Sequence, residues 1–150
     1  MTKMKSGVRA DAGGSAYRLE DQIGFVIRKA AQRHGAIFAK LMIEQLTPTQ
    51  WAALVKINEL KAVSQNQLGR ETAMDAATIK GVVDRLIKRN LLAIRADPAD
   101  SRRNHIRLTA EGRTLVRSGT PVAMRITEDT WKRLTFGERQ MLLELLRKIS

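Results

Sequence analysis

Cysteine is absent from this 150-residue chain. That excludes disulfides, thiolate nucleophiles, cysteine zinc sites and thiol-based redox sensing. Histidine occurs only at His34 and His105, too sparsely for a histidine metal cluster. The sequence shows no paired carboxylates beside a base and no glycine-rich phosphate loop, so neither an enzyme nor a bound cofactor is expected. Aromatic residues make up 4%, so the core must be built from Leu, Ile, Val, Ala and Met. Such a core suits packed helices better than a β-sandwich. No apolar run nears the roughly 18 residues of a membrane span. The first ten residues carry lysines without the apolar centre of a secretory signal, and a cytoplasmic location is expected.

Negative charge is also in short supply. Lys and Arg number 27 against 15 acidic residues, a net charge of +12. This surplus favours a polyanion, either nucleic acid or an anionic membrane surface. The basic residues are spread over several predicted helices and do not form one amphipathic face, which argues against the membrane. Residues 1–16 are small, polar and basic, with Gly7, Gly13 and Gly14 and no apolar period. They are expected to form a mobile tail, in which Lys3, Lys5 and Arg9 can add loose phosphate contacts.

The remaining residues, 17–150, read as one mainly α-helical domain with a small β-hairpin. Ile23, Ile27, Ala30, His34, Ile37 and Leu41 recur at steps of three and four, which predicts one long helix over 17–45. Thr47-Pro48-Thr49-Gln50 has the spacing of a capping box and opens a second helix. Ser64 to Gln67 repeats that spacing and opens a short third one. Asp75 caps a fourth, whose buried face is Ile79, Val82, Val83, Leu86 and Ile87 and whose left-handed stop is Asn90. An apolar strand at 91–95 and an alternating strand at 104–108 flank a charged turn containing Pro98. Thr109 starts a further helix, within which Pro121 is expected to mark a kink or break. Thr135 to Glu138 opens a terminal helix with Met141, Leu142, Leu145, Leu146 and Ile149 on one face. That face and the first stripe exceed what one lobe can cover, so residues 17–46 and 110–150 are expected to build a homodimer around a DNA-binding part at 47–109.

Three helices followed by a hairpin form a winged helix-turn-helix. A helix about 10–12 Å wide fits the major groove of B-DNA, about 12 Å across. The helix opening at Ala76 presents Ala77, Thr78, Lys80, Gly81 and Arg85 away from its buried face, and the small Ala76, Ala77 and Gly81 permit close approach to base edges. Ser64, Gln65 and Asn66 stand at the start of the bracing helix, where backbone amides attract phosphate. At the hairpin turn, Asp100 can pair with Arg102 and stiffen it. Arg102 or Arg103 can then enter a minor groove.

Asp100-Ser101-Arg102, five residues and then Leu108-Thr109 resemble the wing signature of the MarR family. The wider run from Asp97 to Gly112, the stretch from Leu46 to Leu54 and Asp84-Arg85-Leu86 are similar to that family as well. The resemblance spans roughly residues 20–150. It implies homodimers whose terminal helices interlock, two winged lobes on pseudo-palindromic double-stranded DNA, repression, and release by a small, often aromatic, anion. Ala31-Gln32-Arg33-His34 and the region from Gln65 to Gly69 are similar to members that control aromatic-acid catabolism. His34 interrupts an apolar stripe, where a titratable group is costly unless paired. With Arg28, Arg33, Phe38 and Trp51 it can frame an apolar slot with a cationic end, suited to an aromatic carboxylate or its thioester. The other role open to His34 is a satisfied interface histidine, and the other role open to the whole chain is a ligand-independent architectural DNA-binding protein.

Overall fold

The computed structural model describes residues 16–150, so the predicted tail lies outside the described residues except for Ala16. The chain forms α1 (Ile23–Leu41), α2 (Pro48–Leu60), α3 (Gln65–Glu71), α4 (Ala76–Lys88), β1 (Leu92–Ala96), β2 (Asn104–Leu108), α5 (Ala110–Trp131) and α6 (Phe136–Ile149). Short 3-10 turns lie at Leu19–Asp21 and Ile43–Gln45.

Local signals explain most of these boundaries. The Thr47 hydroxyl accepts the Gln50 amide while the Gln50 side chain accepts the Thr47 amide, and Thr135 and Glu138 repeat this exchange. Ser64, Asp75 and Thr109 each accept an amide three residues on. Each cap satisfies donors that a helix start leaves free. Asn90 sits at φ 57°, the left-handed stop expected after the last turn of α4.

Two expectations are corrected. The first helix does not run over 17–45: it starts at Ile23, ends at Leu41, and the chain turns through left-handed Glu44 and Gln45 (φ 52° and 50°). Met42 and Leu46 are buried on either side of this turn, so core burial overrides the helical period. Pro121 does not break α5, which is continuous from Ala110 to Trp131. Pro121 lies on the exposed side of the helix, while Val116, Gly119 and Ile126 are buried on the packed side before and after it.

Strands β1 and β2 pair antiparallel, with Leu92 opposite Leu108 and Ile94 opposite Ile106. A single bridge adds Val63 to the free edge of β2, its amide and carbonyl both bonded to Ile106. Leu54, Ile57, Leu68, Ile79, Val82, Val83 and Leu86 are fully buried and hold α2, α3, α4 and the hairpin together. Two glycines permit close crossings. A Cβ on Gly69 would come within 3.0 Å of the Met74 carbonyl, and one on Gly112 would collide with the Leu91 carbonyl.

The terminal helices are less embedded. No residue of α6 is buried, and its Met141, Leu142, Leu145 and Leu146 are exposed, as are Ile23, Val26 and Ile27 on α1. Arg139 ties α6 back through Glu128 at 2.7 Å and by lying over the Trp131 ring. Among the described residues no helix is long and apolar enough to cross a membrane.

Candidate nucleic-acid interface and effector site

Helix α4 divides its faces as its sequence demands. Ile79, Val82, Val83 and Leu86 point inward, while Ala76, Ala77, Thr78, Lys80 and Arg85 are exposed and Gly81 is half-buried. Lys80 pairs with Asp84 one turn on, at 2.7 Å. Arg85 folds back over Gly81, where an added Cβ would lie 3.4 Å from its guanidinium. Gly81 therefore gives Arg85 room to lie along the helix as well as keeping the backbone bare. At the start of α3, Ser64 caps with its side chain, Gln65 is half-buried and Asn66 is exposed.

The approach of α4 depends on its first turn. The backbone N–H of Thr78 donates to Asp75 at 2.7 Å and, with the Thr78 hydroxyl, holds the Asp75 carboxyl below its ordinary range. Because the folded carboxyl titrates below its unfolded counterpart, the cap acts fully above about pH 4 and fades as pH falls further. Asp75→Asn should keep a capping oxygen without that titration. Amide exchange at Thr78 and Ile79, followed from about pH 5 down to about 2.5, should show protection fading in the parent but not in the variant. Parallel profiles would show that the ionised form has no special role.

The hairpin tip is organised by two aspartates. Asp100 accepts the Arg102 backbone N–H at 3.1 Å and its Nε at 3.2 Å, with Arg103 Nε at 3.7 Å from the second carboxylate oxygen. Asp97 accepts the Ala99 amide and faces His105 Nε2 at 3.6 Å. The guanidinium groups themselves remain outside: the side chains of Arg102 and Arg103 are 90% and 76% exposed, against 33% for Asp100. The sequence expectation paired Asp100 with Arg102. The link from Asp100 to Arg103 and that from Asp97 to His105 escaped it, because both need the turn geometry.

The five residues expected to frame an effector slot are not gathered round one cavity within a protomer. His34 Nδ1 lies 2.9 Å from the Thr130 hydroxyl on α5, and the Phe38 ring is 6.3 Å from the imidazole. Arg33, next to His34, reaches the Asp129 carbonyl at 3.3 Å. Arg28 instead lies over the Phe25 ring. Trp51 is seated on Gly119, where a Cβ would meet its ring at 2.5 Å. Gly119 and Thr130 are about three turns, or roughly 16 Å, apart along α5. The Thr130 hydroxyl donates to the Ile126 carbonyl at 2.7 Å, so it accepts from Nδ1–H of His34. A neutral His34 is thereby left with Nε2 as a free acceptor.

A cleft of about 870 Å³ lies elsewhere, between the Ile43–Gln45 turn, the end of α4 and the start of α5. Glu44, Arg89, Leu91, Glu111 and Leu115 are among the residues lining it. Arg89 donates to the Glu44 carbonyl at 2.8 Å and so ties the α1–α2 link to the end of α4. Neither residue stood out in sequence, since a left-handed Glu44 leaves no compositional mark.

Three helices, a hairpin and two solvent-facing arginines at its tip define a winged helix-turn-helix nucleic-acid-binding protein. The pattern of the MarR family matches residues 44–103. The HTH-type transcriptional repressor NicR of Pseudomonas putida is 37% identical over 150 residues, 99% of this chain and 95% of NicR. A crystal structure from Pseudomonas aeruginosa is 49% identical with a TM-score of 0.86, covering 89% of this chain and 100% of that one. The structure of Bordetella bronchiseptica BpsR, whose DNA binding 6-hydroxynicotinic acid regulates, is 40% identical with a TM-score of 0.84, covering 89% and 96%. The chain belongs to the MarR family. It is a DNA-binding transcriptional regulator and not an enzyme.

Proposed function

We propose that the protein is a homodimeric repressor that leaves its operator when a small aromatic carboxylate, or its thioester, binds beside His34. The observation that carries this reading is the His34 environment. The imidazole is oriented by Thr130, leaves Nε2 free, has the Phe38 ring alongside and Arg33 next in sequence. A ring held near Phe38, with its hydroxyl donating to His34 Nε2 and its carboxylate on a nearby cation, is the pairing a hydroxylated aromatic acid needs. The relatives agree in kind, since NicR is named a repressor and BpsR is regulated by a hydroxylated pyridine carboxylic acid.

The exposed apolar faces of α1 and α6 supply the dimer surface. In this arrangement Thr78, Lys80 and Arg85 read the major groove, Ser64, Gln65 and Asn66 approach phosphate, and Arg102 and Arg103 reach a minor groove. The bond from Arg89 to the Glu44 carbonyl gives a rigid route from the α1–α2 link to the end of α4. Movement of α1 on effector binding would then displace the reading helix.

The test is operator binding against a panel of aromatic acids, 6-hydroxynicotinic acid included, and their thioesters. His34→Ala should hold the operator within about threefold of the parent yet need roughly tenfold more acid for release, the loss of about one good hydrogen bond. Equal release by parent and variant would remove His34 from the effector site. A parent that no member of the panel displaces would remove the ligand response.

A further inference from the structure

The bridge between Val63 and Ile106 divides the seam beside β2 into two clefts. Because this pairing is antiparallel, residues before Val63 lie beside those after Ile106, and the reverse. On the wing side the lining includes Ser64, Gln67, Arg103 and His105. On the body side a smaller cleft of about 180 Å³ is lined by Asn58, Lys61, Arg107 and Arg113 with the apolar Ile57 and Leu108. No carboxylate is among its described lining residues.

Three cations round so small a space repel one another unless an anion joins them. Their geometry is maintained nonetheless. Arg113 is held by donating Nη1 to the Leu108 carbonyl at 3.0 Å, which leaves its other N–H groups free. Lys61 and Arg107 are exposed, and neither is held in an ion pair among the described residues. Lys61 is also at the centre of a tight turn, with φ 68° and ψ −42° and the Ala62 amide bonded to the Leu60 carbonyl at 2.8 Å. This positive-φ γ-turn is strained for any residue with a Cβ, and glycine would fill it more easily. A lysine in this position points to a use for its charge.

We propose that this cleft is a phosphate site that holds a phosphodiester of the DNA outside the half-site read by α4 and the wing. The inference rests on the DNA-binding role of the family. His105 and Arg107 stand on the same face of β2, about 7 Å apart at strand spacing. The cleft thus continues the basic line that starts at Arg103, away from the hairpin tip. Its size and its ring of N–H donors suit a tetrahedral anion, and its lack of base-reading depth makes the contact independent of sequence.

The experiment compares two duplexes across a salt series, one trimmed to the operator half-sites and one extended by flanking DNA on both sides. The double variant Lys61→Gly, Arg107→Ala should bind the extended duplex about tenfold more weakly than the parent at low salt. Its log–log salt slope should be smaller by about two, one phosphate per protomer. On the trimmed duplex the two proteins should agree. Its melting temperature should equal or exceed that of the parent, since glycine relieves the turn. An unchanged slope on the extended duplex, or equal losses on both duplexes, would overturn the site. A parent that binds neither duplex would instead overturn the DNA-binding role on which the site rests.

Discussion

A chain carrying glutamate at both Leu142 and Leu145 should sediment near the 16.8 kDa of one protomer, where the parent should sediment at about twice that mass. The expectation follows from where these side chains lie. Both are exposed on α6, a helix with no buried residue of its own, so the substitutions leave the protomer core untouched. In a dimer the same positions become an apolar interface, and four buried, unpaired carboxylates there would be prohibitive. The effect on DNA should be larger than any single contact explains. A dimer engages its second half-site as an intramolecular event, which raises apparent affinity by about 10²–10⁴ over one lobe. The variant should lose operator affinity on that scale while keeping the circular dichroism of the parent. A monomeric variant that holds the operator as tightly as the parent would end the two-lobed model.

Substitutions on the reading helix and in the wing should separate cleanly. Thr78→Ala or Lys80→Ala should cost roughly 1–3 kcal/mol on the operator and much less on scrambled DNA, because a base-edge contact carries sequence information. Thr78→Ala keeps the backbone N–H that bonds Asp75, so its loss would not be a capping effect alone. Lys80→Ala also strips Asp84 of its partner and leaves a carboxylate facing phosphate, so it should be the more damaging of the two. Arg102→Ala or Arg103→Ala should instead weaken both duplexes alike and lower the salt slope by about one per lost phosphate contact. Asp100→Ala is the control. It removes negative charge near DNA but frees both arginines from the carboxylate that organises them, so weaker binding would be an effect of tip order. Wing variants that bind both duplexes like the parent, with an unchanged slope, would take the hairpin out of the interface.

The winged arrangement could be read from residue order because its signals are local. Thr47 with Gln50, Asp75 before an amphipathic run, Asn90 at a left-handed stop and alternation over 104–108 each act within a few residues, and each recurs in the structure. The break considered at Pro121 and the single helix over 17–45 failed for the same reason in opposite directions. Both were judged on local rules, whereas packing of α5 tolerates the proline and burial of Met42 and Leu46 turns the chain. The exposed set on α4 followed directly from its 3.6-residue period, since a helix with one buried face must show the other.

Composition and periodicity alone therefore determined a cysteine-free, basic, helical chain with a hairpin after its fourth helix, and the resemblance of the wing motif made DNA the expected partner. Those properties depend on charge totals and on neighbours three or four residues apart. Tertiary structure decided the rest: that His34 is oriented by Thr130, that Trp51 is seated on Gly119, that Arg89 ties to Glu44, and that Lys61, Arg107 and Arg113 share one cleft. Each of these pairs residues far apart in sequence through the approach of two elements. For the last three the approach depends on a bare glycine, a left-handed turn or a single strand bridge, and no periodicity records where these will bring the chain together.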